Sequence, residues 1–375
     1  MRFTRFALAA VGTAAIAGAG LSVTAAALAA PRDDSTFLGS LHHTKLIVST
    51  VPGNGDVNPY GVAVIMRSQG RLQQGNVLVS NFNNSKNLQG TGSTIVEISP
   101  GGHRTVFAHI SKHGLPGACP GGIGLTTALV IIRGWVFVGS LPSANGQAAT
   151  AKAGCIIVLD SAGHVRETIS GHGINGPWDS TAVTHGDHAM LFVANVLNGT
   201  VAAKGKVVHR GTVVRLGLAF SAGHLPSVSS STVVGSGFSE QTNSTTFVVA
   251  PTGLGLGRHM RLYVADTGEN RITMIDHAVS RQSSDGTGDV VTSGGLLNSP
   301  LGLAIAPNGD VLTVNGGNGR IVETNPDNGK QVASRFLDRS GSPPGNGALF
   351  GLGVTPTGNG VYYVDDAANT LRLLF

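Results

Sequence analysis

Residues 298–325, NSPLGLAIAPNGDVLTVNGGNGRIVETN, hold three short strand-like runs separated by two tight turns. Residues 301–306 are apolar and lead into Pro307-Asn308-Gly309-Asp310, a hairpin turn in composition. Residues 311–314 follow, then a Gly/Asn loop at 315–319, then 320–324 with alternating sides. Strands this short, split by Gly, Asn and Pro, mark an antiparallel meander.

The same pattern recurs outward from this stretch. First strands read NPYGVAV at 58–64, GGIGLTTALV at 121–130, NGPWDSTAV at 175–183, TTFVVAP at 245–251, NSPLGLAIAP at 298–307 and ALFGLGVTP at 348–356. Each is followed by a second strand ending in Asn, Ser or Asp: NVLVSN, WVFVGS, MLFVAN, RLYVAD, DVLTVN and GVYYVD. Third strands follow in all six units and fourth strands in five. The sixth unit stops after its third strand, at Phe375. KLIVSTV at 45–51 is a spare strand ahead of the first unit, and pairing it beside the last unit closes a ring. The sequence therefore predicts an all-β protein: a six-bladed β-propeller of four-stranded antiparallel blades, its last blade closed by an N-terminal strand. An open solenoid would leave the spare strand without a role, and no strands remain for a seventh blade.

Composition agrees with a turn-rich β protein: 55 of 375 residues are Gly, 41% are apolar and 12% are charged. At the N-terminus Arg2 and Arg5 precede an uncharged run to Ala30, with a small-x-small site at Ala27-Leu28-Ala29. The expected organisation is an export signal over 1–29, an extension over 30–44 and the propeller over 45–375. The apolar run is also long enough to span a bilayer, but its small-residue end and the polar PRDDS after it favour a cleaved leader. The expected destination is secreted, periplasmic or cell-envelope, with no membrane span after the signal is removed. The formal charge is +5, and loss of the two leader arginines leaves +3. No basic run with interleaved aromatics occurs, so nucleic acid is not an expected partner. Export permits a disulfide between Cys119 and Cys155. Both cysteines map to one face of the second unit and would close a loop of about 36 residues.

LYVADTGENRITMID at 262–276 resembles an NHL repeat, and NSPLGLAIAPNGDVLTVN resembles the NHL and gluconolactonase-type (senescence-marker-like) propellers. The resemblance implies the six-bladed fold. It leaves function open among lactonases, lyases, strictosidine-synthase-like enzymes and binding modules. In gluconolactonase-like relatives a metal sits near the channel, held by acidic and Asn side chains. The central Glu expected at the first blade has no match, since this unit reads DVNPYGVAV.

Blade-to-blade connections and second-to-third loops share one face. The long loops 81–92, 141–154 and 196–210 lie there, in blades one to three, so that face is the expected working surface. Strand entries place Asn58, Asn175, Trp178, Asp179, Asn243, Asn298 and Phe350 at the channel mouth. A rigid aromatic, Trp178, beside the Asn175 amide and the Asp179 carboxylate suits a small polar ligand. His172, close by in sequence, is the best-placed histidine. A lyase of the streptogramin-inactivating type, similar in fold, uses His and Glu with Mg²⁺ at its channel. Asp179, Asn175 and Asn298 are the candidate oxygen ligands for Ca²⁺ or Mg²⁺; the same Asn residues also serve as turn caps. No G-x-S-x-G, H-x-x-x-H or H-E-x-x-H occurs, and GLGLG at 253–257 reads as turn. Two functions stay in view. One is a binding or scaffold module for a small molecule or protein on the loop-rich face. The other is a metal-assisted, lactonase-like hydrolase or lyase at the channel mouth.

Overall fold

The computed structural model describes residues 36–375; the expected leader and its cleavage site lie outside the described residues. Six antiparallel sheets follow one another along the chain, each starting with an innermost strand: Val57–Val64, Leu125–Ile132, Pro177–His185, Pro251–Leu256, Pro300–Ile305 and Leu349–Val354. Side chains from all six inner strands line one central channel. The sixth sheet takes its outer strand from the other end of the propeller: Thr44–Ser49 pairs antiparallel with Thr370–Leu374, from Thr44 opposite Leu374 to Ser49 opposite Thr370. This is the six-bladed propeller, closed by its N-terminal strand.

The inner strands approach so closely that side chains are excluded at some positions. A Cβ on Gly302 would lie 2.1 Å from the Phe350 carbonyl oxygen, and one on Gly351 2.1 Å from that of Tyr60. Real Cβ atoms do not tolerate such contacts, which accounts for glycine at this step of blades five and six.

The polar residue ending each second strand also has a physical reason. Asn81, Ser140, Asn195, Asp266, Asn315 and Asp365 are all fully buried. Several of them hold the connection arriving from the preceding blade. Asn195 accepts from the Asn175 and Gly176 amides at 2.9 and 2.8 Å, Ser140 accepts from Gly124 at 3.0 Å, and the Asn315 amide donates to the Leu296 carbonyl at 2.8 Å. A buried connection needs its backbone groups paired, and in these blades the side chain ending the second strand does this; Asp266 and Asp365 instead bond within their own blades, to Arg271 and to the Ala368 amide.

Blade four departs from the sequence expectation. Its inner strand is Pro251–Leu256, not 245–251. Phe247–Val249 instead folds back on Gln241–Asn243 as a fifth strand of blade three, around a turn in which Asn243 Oδ1 accepts from the Thr245 and Thr246 amides. The glycines that make 253–257 read as turn are what an inner strand needs here: a Cβ on Gly253 would lie 2.3 Å from the Leu301 carbonyl oxygen.

Cys119 and Cys155 form a disulfide, with Cα atoms 5.1 Å apart and a sequence separation of 36. It ties the connection entering blade two to that blade's third strand, Cys155–Leu159. By loop-closure entropy it contributes about 3–4 kcal/mol. Reduction should lower the melting temperature by several degrees, and a spectrum of unreduced protein should show no free thiol. Two free thiols in the folded protein would overturn the assignment.

Candidate functional site

The loop-rich end of the channel is closed by aromatic side chains. Tyr60, Trp178 and Phe350 come from the entries of inner strands, Phe82 from the end of a second strand, and Phe247 from the connection into blade four. Tyr60 stacks on Phe350 at 3.9 Å and on Phe82 at 4.6 Å between ring centroids. Trp178 meets Tyr60 and Phe82 edge-on at 5.7 and 5.4 Å, and Phe247 meets Phe82 edge-on at 5.4 Å. Trp178 is 2% exposed, so its ring is buried in the plug and not presented to solvent. Phe350 is half-buried.

Asp179 follows Trp178 and turns into the channel beneath this plug. Its carboxylate accepts from the amides of Ser180 at 2.8 Å and Leu254 at 3.1 Å. It is the one carboxylate among the described residues lining the channel cavity, whose other walls include Val62, Thr127, Leu129, Leu303 and Leu352. Burial pushes its pKa up to about 8, against the opposing pull of the two amides.

The remaining candidates are dispersed. Asn175 donates to Asn198 Oδ1 at 2.8 Å in a group of amides between blades two and three. Asn58 has a left-handed backbone, φ 62°, which Asn tolerates. With its amide nitrogen facing Asp366 it lies 2.6 Å from Asp366 Oδ1 and accepts from Asn83 Nδ2 at 3.0 Å. His172 and Asn298 are exposed on their own connections, and Asn243 caps its turn. The structure thus brings Trp178 and Phe350 together, sets Asp179 below them and Asn58 within hydrogen-bonding reach of the Tyr60 hydroxyl, and leaves Asn175, His172 and Asn298 apart.

Among the described residues no three His, Cys, Asp or Glu side chains converge. Asp179 stands alone in the channel, Asn175 turns to Asn198, and Asn298 is exposed. Calcium and magnesium take about six or more oxygen ligands. The donor set of Asp179, Asn175 and Asn298 does not fit such a centre, and no step is routed through one.

Sequence reading missed Tyr60, Phe82 and Phe247, because alternation assigns them to strands without showing that three blades aim rings at one point. It also missed two buried carboxyls. Burial pushes Glu240 up to about 8, and burial with the neighbouring Asp365 charge pushes Asp366 up to about 7. Together with Asp179 these set a pH dependence. A carboxyl whose pKa is higher folded than unfolded binds more protons in the native state between the two values, so stability falls as pH rises across that interval. The melting temperature should therefore decline from about pH 4–5 to pH 8. Asp179→Asn and Glu240→Gln should each flatten the decline. A melting temperature that climbs over this range would contradict the burial of these groups.

No family model matches the chain, and no curated protein matches it in sequence. Its fold does match solved structures. A gluconolactonase from Xanthomonas campestris is 12% identical, with 92% of this chain and 94% of that one covered, at a TM-score of 0.56. Regucalcin, a calcium-binding protein from Agrobacterium tumefaciens, is 12% identical, with 88% and 94% covered, at 0.52. An aldose sugar dehydrogenase from Streptomyces coelicolor, solved with PQQ, is 16% identical, with 88% and 98% covered, at 0.51. The chain is therefore a six-bladed β-propeller of the architecture shared by gluconolactonase-like and regucalcin proteins.

Proposed function

We propose that this protein is an exported propeller that acts on a small molecule in its central channel, as a hydrolase or lyase of a lactone or related cyclic ester. The observation that carries this reading is Asp179: the one carboxyl of the channel cavity among the described residues, oriented by two backbone amides and set among Val62, Leu129, Leu303 and Leu352 with the Thr127 and Ser180 hydroxyls as its polar neighbours. With a pKa of about 8 it holds its proton at neutral pH, as a general acid requires. In ring opening, water bonds to the acyl carbon and the acyl–oxygen bond breaks. The departing alkoxide takes the proton from Asp179, the attacking water gives up one proton to channel water, Asp179 regains a proton from that water, and the new carboxylic acid then ionises to solvent. The cavity beside Asp179 has room for only a few water molecules, so the acid acts through channel water on a substrate held in an adjoining space. The fold neighbours named above include a lactonase and a sugar dehydrogenase, which supports a small-molecule substrate. The disulfide supports an oxidising destination.

The test is acid release from a panel of γ- and δ-lactones. Turnover should be level below about pH 8 and fall above it, because the acid form is lost there. Asp179→Asn should lower kcat by roughly 10²–10⁴-fold. Turnover unchanged in Asp179→Asn would defeat the assignment.

One observation favours the second reading, a binding module. A cavity of about 600 Å³ on the loop-rich face is lined by Gln147, Lys204, Thr242 and Asn243, with small residues between them and no carboxylate or imidazole. Binding without turnover, lost when Lys204 and Asn243 are both changed to Ala, would support that reading.

A further inference from the structure

The aromatic plug decides from which side Asp179 is reached. Tyr60, Phe82, Trp178 and Phe247 are each at most 2% exposed, so the loop-rich end of the channel is shut. At the opposite end, a cavity of about 680 Å³ is lined by Val64, Met66, Arg67, Ile131, Arg133 and Thr184, with Gln69 and Gly134 beside them. Val64 and Ile131 lie two residues beyond Val62 and Leu129, which line the wall next to Asp179. Residues i and i+2 of a strand share a side, and two residues span about 7 Å. The two cavities therefore follow one another along the same faces of blades one and two.

This opening has a built chemical character. Its lining carries two guanidinium groups and no carboxylate. Arg133 donates to the Gly186 carbonyl and lies over the Phe220 ring at 5.8 Å, so its side chain is held. Arg67 makes no hydrogen bond or ion pair among the described residues. Arg133 also sits where its backbone disfavours it. With φ 52° at Arg133 and 80° at Gly134, the pair forms the tight turn between Leu125–Ile132 and Trp135–Ser140. Turns of that kind favour Asn, Asp or Gly at the first position. Val64, Met66 and Ile131 supply apolar wall, and Met66 is 57% exposed. The volume falls within the usual range for small-molecule sites.

We propose that this mouth is the entrance to the channel and binds the carboxylate of a small organic acid, with Arg67 and Arg133 on the anion and Val64, Met66 and Ile131 against its apolar body. A paired guanidinium site matches the flat, two-oxygen carboxylate better than a point charge would. The proposal deepens the channel reading and rests on it for function: ring opening of a lactone yields a carboxylate, so the mouth holds either an acid-bearing substrate or the product on its way out.

The test is calorimetric titration of the full chain with 3-phenylpropanoate at low salt, with 3-phenylpropanamide and inorganic phosphate as comparison probes. Arg67→Ala and Arg133→Gly should each weaken 3-phenylpropanoate binding at least tenfold. The glycine should not lower the melting temperature, because it suits the left-handed turn. Arg258→Ala should leave binding intact, since that arginine lies in a first-to-second turn on the same face but outside the lining of this opening. The amide should bind at least tenfold more weakly than the acid. Absence of 3-phenylpropanoate binding, or binding unchanged in both mouth variants, overturns the site. Phosphate binding as tightly as 3-phenylpropanoate overturns the organic-acid assignment. Asp179→Asn separates the two levels. It should leave 3-phenylpropanoate binding unchanged, so lost turnover with binding retained supports both readings. Retained turnover with binding retained defeats the acid role alone, and lost binding in this variant defeats the separate mouth site.

Discussion

A chain lacking residues 36–49 is expected to lose its cooperative unfolding transition and to aggregate. The segment has two jobs, and both depend on residues far away in sequence. Thr44–Ser49 covers the outer edge of Thr370–Leu374; without it that strand presents unpaired amides and carbonyls to solvent and to other chains. Just before it, the short helical turn Phe37–Ser40 seats Phe37, Leu38 and Leu41 in a core with Leu312, Val314, Leu349 and Tyr363. Burying such side chains contributes about 1.5–3 kcal/mol each. The fully buried Glu323 accepts from the amides of Phe37 and Leu38 at 2.8 and 2.7 Å. Truncation leaves that carboxylate with the Asn308 amide at 2.9 Å and without these two donors, a further cost of several kcal/mol by the usual penalty for a buried charged group. Against a total stability of about 5–15 kcal/mol this is decisive. A truncated chain that melts in one transition within a few degrees of the parent would refute the account of closure.

Trp178→Ala is expected to be the most damaging single change at the channel. Removing a buried Trp costs about 3–5 kcal/mol, from lost transfer energy and the cavity left behind. Two edge-on ring contacts, to Tyr60 and Phe82, disappear with it. These three rings and Phe350 come from blades one, three and six, so the loss falls on contacts across the ring rather than within a blade. The variant should also open the loop-rich end of the channel. Quenching of the remaining Trp135 should be a poor reporter of this, since Trp135 lies on the opposite face, beside Phe220. Solvent exchange at the Leu254 amide, which donates to Asp179, should instead quicken. Trp178→Phe, which keeps a ring, should recover most of the stability. If Trp178→Ala melts like the parent, the aromatic group is not a closing element and entry from the loop-rich face returns as an option.

The sequence alone determined the number of blades and the closing strand, because each rests on local signals that repeat, and it showed that a Cys119–Cys155 bond was topologically possible, which the structure then decided. Turn residues fall at fixed offsets, runs alternate, and the one spare strand has one vacancy to fill. It also determined that Asn, Ser or Asp ends every second strand, although burial against the incoming connection became visible only in three dimensions. Local reading failed where glycine carries two meanings. In PTGLGL it reads as turn, yet the close approach of blade five requires it inside a strand. The site was least legible. Asn58, Asn175, Trp178 and Asp179 were identified as strand entries, but alternation does not say which of them points up into a plug, down into a channel or sideways to a neighbouring amide. Tertiary structure decided that, because the aromatic plug is assembled by packing between blades whose members lie from residue 60 to residue 350. The same holds for Arg67 and Arg133, one in a long connection and one in a tight turn, which meet at a single opening only when blades one and two stand side by side.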